Sequence, residues 1–92
     1  MKFEVWKTNG EKQEVETDAE HVTIEELYKA IDTNIIEVCY LSNNKMFILD
    51  EEGKMKGKVI NEKATKRFYD ETKRFDDCIV GDVVLIDRKY IR

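Results

Sequence analysis

Residues 2–7 alternate along the chain, with Phe3 and Val5 on one side and Glu4 and Trp6 on the other, the period of a β-strand. Asn9-Gly10 follows, and because both residues tolerate the positive φ of a tight turn, the pair predicts a hairpin. Residues 11–17 alternate again but weakly, Gln13, Val15 and Thr17 against Lys12, Glu14 and Glu16. That pattern predicts an exposed edge strand whose glutamates discourage further pairing. Thr23-Ile24-Glu25-Glu26 then has the form of a capping box, and Ile24, Leu27, Tyr28 and Ile31 fall on one helical stripe before a stop near Asn34.

The run Ile35-Ile36-Glu37-Val38-Cys39-Tyr40-Leu41 is dense in β-branched and aromatic residues and predicts a strand in the middle of a sheet. Ser42 to Lys45 reads as a turn and Met46-Phe47-Ile48-Leu49 as the returning strand. Asp50-Glu51-Glu52-Gly53 reads as a second turn, with Gly53 expected in the left-handed conformation. Lys54 to Lys58 is too polar for a core strand. Asn61 can cap a helix over about residues 62–74, with Ala64, Phe68, Glu71 or Thr72, and Phe75 at the helical period. Cys78-Ile79-Val80 and Val83-Val84-Leu85-Ile86 read as strand, broken at Gly81-Asp82 by a bulge or tight turn. Arg88 to Arg92 is a short helix or a frayed end. The order is ββαββαβ, and its short connections predict an α+β fold: a mainly antiparallel sheet with two helices packed on one face. With 92 residues, no proline and no linker composition, residues 1–92 are expected to form a single domain.

Part of this pattern resembles the family catalogued as domain of unknown function 3846, small proteins of phages, plasmids and conjugative elements. The resemblance rests on Ile36-Glu37-Val38-Cys39-Tyr40-Leu41, on Asp50-Glu51-Glu52-Gly53-Lys54, on Asn61 with Ala64 and Thr65, and on Ile79-Val80-Gly81-Asp82-Val83-Val84-Leu85-Ile86. It covers roughly residues 23–87, and the N-terminal hairpin is compatible with it. It implies an accessory protein of a mobile element and supplies no catalytic residues.

Charge changes the picture more than composition does. Charged residues make up 39% of the chain and the net charge is −4, but residues 1–53 hold 13 acids against 5 bases and residues 54–74 hold 3 acids against 8 bases. This is either a dipolar binding surface or two solvated faces that neutralise each other. Glu14, Glu16 and Asp18, with Glu20, Glu25 and Glu26, offer negative charge to a basic protein partner. Trp6 joins them as an interface candidate if it stands outside the core; burial beneath a helix is the other reading. Lys63, Lys66, Arg67, Lys73 and Arg74, with Tyr69 for stacking, offer a nucleic-acid surface instead, against an unfavourable pI near 5.1.

Candidate chemistry is thin. His21 is the lone histidine and sits in a polar loop, so a Cys–His pair with Cys39 or Cys78 would need that loop to reach a buried thiol. One histidine and two cysteines fall short of a structural zinc set, and the acids of the Asp50 turn lack calcium-loop spacing. Glu37 is a lone acid in a strong strand, and Asp82 is a turn residue that would serve a ligand only where a cleft converges on it. The expectation is therefore no catalytic residue, no metal and no cofactor. The start of the chain has no apolar segment of secretory type and no run of membrane-spanning length, which predicts a cytoplasmic protein with both thiols reduced. The leading expectation is a non-catalytic binding or regulatory protein of a phage or mobile element, engaging a host protein in the manner of a counter-defence factor, with no membrane partner. A nucleic-acid accessory protein using residues 54–74 is the first alternative, and a small enzyme or metabolite-binding domain the second. A homodimer through an exposed strand edge or Trp6 is a further possibility.

Overall fold

The computed structural model describes residues 1–91; Arg92, the last residue of the predicted terminal segment, lies outside them. The elements run β1 (Lys2–Trp6), β2 (Lys12–Glu16), α1 (Ile24–Ala30), β3 (Ile36–Tyr40), β4 (Lys45–Asp50), α2 (Glu62–Thr72), β5 (Val83–Asp87) and a 3-10 turn (Arg88–Tyr90). This is the ββαββαβ order of an α+β fold. All five strands form one antiparallel sheet in the order β2-β1-β5-β4-β3.

Local chemistry sets the element ends. Lys7 and Gly10 close the first hairpin, the Gly10 amide donating to the Lys7 carbonyl at 3.0 Å with φ at 91°. Thr23 and Glu26 form the reciprocal capping box that starts α1. Asn61 starts α2, its Oδ1 accepting from the Ala64 amide at 3.2 Å. Lys73 ends that helix in the left-handed conformation at φ 58°, so Phe75 falls beyond the helix and is exposed instead of completing its buried stripe.

The helices lie on opposite faces of the sheet, which corrects the one-sided arrangement expected from sequence. Phe3, Val5, Met46, Ile48, Val84 and Ile86 meet Leu27 of α1 and its C-cap residue Ile31 in one core cluster. Trp6, Phe47, Leu49, Val83 and Leu85 meet Ala64 and Phe68 of α2 in another. The reason is in β4 and β5, whose side chains are buried without alternation over Met46–Asp50 and Val83–Ile86. A strand apolar on both faces must be covered on both. Each large side chain buried this way contributes about 1.5–3 kcal/mol relative to exposure.

A second correction concerns β3. Its β-branched run reads as a central strand, yet β3 is an edge. β4 and β5, apolar on both faces, sit further inside, while Val38 and Tyr40 of β3 stay exposed. The turn glycine is also reassigned. Gly57, not Gly53, has the left-handed backbone, at φ 73°. At Gly53 a Cβ would stand 2.9 Å from Cγ2 of Val80, so that position needs glycine for close packing.

Candidate functional site

Of the acidic residues singled out from sequence, Glu14 and Glu16 share a face, while Glu25 and Glu26 stand on α1 across the sheet. Glu14 and Glu16 project from the edge strand β2 and are exposed, as is Asp18 in the loop that follows. In register, Glu14 lies across from Glu4 and Glu16 across from Lys2, so Glu4, Glu14 and Glu16 stand on one face of the hairpin. Glu4 and Glu14 also line a shallow depression of about 200 Å³ with Lys2, Lys45 and Asp87. The one ion pair that Glu14 makes there, to Lys2 at 3.5 Å, is solvated at both ends and contributes little.

Trp6 shares this side of the hairpin with Glu4 but is covered instead of presented. It is 4% exposed, with its ring edge against Phe47 at 5.3 Å between centroids and Nε1 donating to Glu4 at 3.2 Å. The Lys12 ammonium lies 3.9 Å above the ring. The side chain points to the face that α2 covers, so it serves the core and not an interface.

The basic residues are largely partnered within the chain, in pairs that range from half-buried to solvent-exposed. Lys66 pairs with Asp70 at 2.8 Å, Arg67 with Glu71 at 2.6 Å and Arg74 with Asp76 at 3.5 Å, while the Lys63 ammonium donates to the Gly10 carbonyl at 2.7 Å. Lys54 pairs with Asp77. Lys73 is exposed, its backbone used as the helix C-cap. Tyr69 is half-buried, its ring 5.3 Å from that of Phe75 between centroids in a T-shaped pair.

The residue pattern alone does not single out the ion cluster at the end of β4. Asp50, 3% exposed, receives Lys56 at 2.8 Å and Lys58 at 3.0 Å, and its Oδ1 accepts from the Glu52 amide. Burial alone would raise this carboxyl. Hydrogen bonds from Lys56, Lys58, the Glu52 amide and Thr33 outweigh it and hold the carboxyl well below the ordinary range. The Lys58 ammonium also donates to the carbonyls of Ile31 and Asp32 at 2.9 Å, where the C-terminus of α1 favours a cation. The cluster thus fastens the loop after β4 to the end of α1. The one available signal was lysine at 56 and 58 following an acid at the end of a wholly apolar strand.

Cys39 and Cys78 are unpaired thiols that line a cavity of about 310 Å³ between β3, β4 and the segment after α2. Glu37, Lys54, Arg74 and Asp77 share its rim. Burial, then the Glu37 carboxylate, pushes the Cys39 thiol up, which disfavours the thiolate that nucleophilic chemistry needs. His21 lines a different groove, beside Val22 and Ile24 on the α1 side of the sheet, so the sheet separates it from the thiols. Asp82 accepts from the Thr8 amide at 3.0 Å and pairs with Lys7 at 3.4 Å, tying the hairpin to the entrance of β5. Among the described residues no three His, Cys, Asp or Glu side chains gather as a metal site, and no helix is long and apolar enough to cross a membrane.

Fold and surfaces together define a small α+β domain built on an open antiparallel sheet, covered by one helix on each face and bounded by two edge strands, β2 and β3. A family model described as a domain of unknown function, DUF3846, matches residues 1–90, and the chain belongs to that family. The match takes in the N-terminal hairpin as well as the segments on which the sequence resemblance rested. Neither a curated protein nor a solved structure matches the chain.

Proposed function

We propose that this protein is a non-catalytic binding module of a phage or other mobile element that engages a protein partner through the acidic hairpin surface. One observation carries the reading: the charges are unequally spent. The cations of residues 54–74 are mostly partnered by carboxylates and carbonyls of the same chain, several in pairs as solvated as Lys2–Glu14, whereas among the described residues Glu14 has one cation partner and Glu16 and Asp18 have none. What the molecule offers a partner at long range is negative. A basic protein surface, including one that ordinarily holds nucleic acid, has the complementary charge. A regulatory or counter-defence role in the host cytoplasm follows from that complementarity and from the mobile-element setting that the family resemblance implies.

The test is affinity capture from host lysate at stepped salt concentrations. A protein partner retained at low salt and released as salt rises is the expected result. Recovery of nucleic acid instead, lost on Lys66→Glu with Arg67→Glu, would transfer the function to the basic segment.

A further inference from the structure

The two edges of the sheet are built differently. On β2 the outward row includes Glu14 and Glu16, and like charges brought against a second strand repel. On β3 the chain presents Ile35, Ile36, Val38, Tyr40 and Leu41 with a single charge, Glu37. Val38 is 38% and Tyr40 62% exposed. The β3 edge has no guard.

Backbone parity shows which groups face outward. The Ile35 carbonyl accepts from Glu51 at 3.2 Å and the Leu41 amide donates to Lys45 at 2.9 Å, both toward β4. The odd-numbered residues of β3 therefore pair with β4, and the N–H and C=O groups of Ile36, Val38 and Tyr40 turn to the open side. Beside Ile36 lies an apolar groove of about 650 Å³, lined by His21, Val22, Ile24, Leu27, Ile36 and Ile91 among others.

We infer that a second copy of this chain pairs antiparallel with the β3 edge, centred on Val38, and that Tyr40 of each copy seats in the groove beside Ile36 of the other. The outward groups select this register. Centred on Val38, all three outward residues of each copy engage and exchange six backbone hydrogen bonds; shifting the centre to residue 37 or 39 leaves one of the three unpaired. The centred register sets Val38 against Val38, Ile36 against Tyr40 and Ile35 against Leu41, and Glu37 against Cys39, with no like charges directly opposed. A centre at residue 37 would set Glu37 against itself. The exposed aromatic and the apolar groove sit four residues apart on one strand, and the two-fold operation brings each onto the other, as an isologous interface requires. The inference uses the edge opposite the acidic surface, so either reading can fail alone.

Sedimentation or light scattering over a concentration series tests it on the full chain. The wild type is expected at twice the monomer mass. Val38→Lys, which opposes two lysines at the centre, and Tyr40→Glu, at a position already largely exposed, are each expected to give monomers with unchanged circular dichroism. Gln13→Lys on the β2 edge is expected to leave the dimer intact. In a Cys39→Ser/Cys78→Ser background, Val38→Cys is expected to crosslink under mild oxidation, because opposed residues lie about 5.5 Å apart between Cα atoms, within disulfide reach. A wild type that stays monomeric throughout, or a dimer that survives both Val38→Lys and Tyr40→Glu, overturns the inference. A dimer that fails to crosslink through residue 38 overturns the register.

Discussion

Asn61 joins three parts of the chain with one side chain. It is 1% exposed, its Oδ1 caps α2, and its Nδ2 donates to the carbonyls of Trp6 at 2.9 Å and Gly81 at 3.0 Å. Asn61→Ala is expected to cost about 2–3 kcal/mol in chemical denaturation, since the cap is lost and two buried acceptors are left unpaired. Asn61→Asp separates the roles. Aspartate caps a helix as well as asparagine does, but it cannot donate to either carbonyl and brings a negative charge beside them. Its cost should equal or exceed that of alanine; a near-neutral result would mean that capping alone matters there. Gly81 is coupled to the Asp50 cluster, since it holds φ at 76° and a Cβ there would stand 2.8 Å from Cδ of Lys58. Because that lysine is pinned by Asp50 and by the end of α1, Gly81→Ala is expected to lower stability by about 1–2 kcal/mol. Asp50 itself makes stability depend on acid. Its folded pKa is held below the unfolded value of about 3.9, so the cluster contributes fully above that pH and its contribution fades as the pH falls further. Thermal melts should show Asp50→Asn less stable than wild type at neutral pH, with the gap closing toward pH 2; a constant gap would contradict this role.

At the level of elements, the parts readable from sequence were those fixed by neighbours along the chain. The Asn9-Gly10 hairpin, the Thr23–Glu26 box and the Asn61 cap all form where the sequence places them, because each depends on residues within four positions. The side of the sheet on which each helix packs and the order of the strands depend on contacts distant in sequence. The unbroken burial of Met46–Leu49 and Val83–Ile86 was present as text, and read as a demand for cover on both faces it gives the two-sided fold. β3 shows the converse. β-Branched density reports how well a segment suits a pleated strand, not how many neighbours it has, so an unguarded edge and a central strand look alike. Trp6 was legible only as an ambiguity, since its burial depends on where α2 lands.

Across the whole molecule, the acidic first half and the basic segment partly neutralise each other, at the buried Asp50 and in solvated pairs, and partly leave a surface asymmetry. Lys54, Lys56 and Lys58 run outward from the chain but return to Asp77 and Asp50, and α2 answers its own cations four residues later. Of the hairpin acids, Glu14 is answered by Lys2, while Glu16 and Asp18 have no cation partner among the described residues. Pairing through β3 would place the two acidic hairpins at the far ends of a continuous sheet, about 40 Å apart at the usual strand spacing of about 4.8 Å, so that one dimer could hold two basic sites at once.

The central claim is that the hairpin acids, and not the cations of α2, carry recognition. Capture of the partner from host lysate by wild type, by Glu14→Lys/Glu16→Lys and by Lys66→Glu/Arg67→Glu, side by side at one low salt concentration, tests it most directly. The account predicts that the first reversal abolishes capture while the second leaves it at the wild-type level. Capture that survives reversal of Glu14 and Glu16 but is lost on reversal of Lys66 and Arg67 would contradict it.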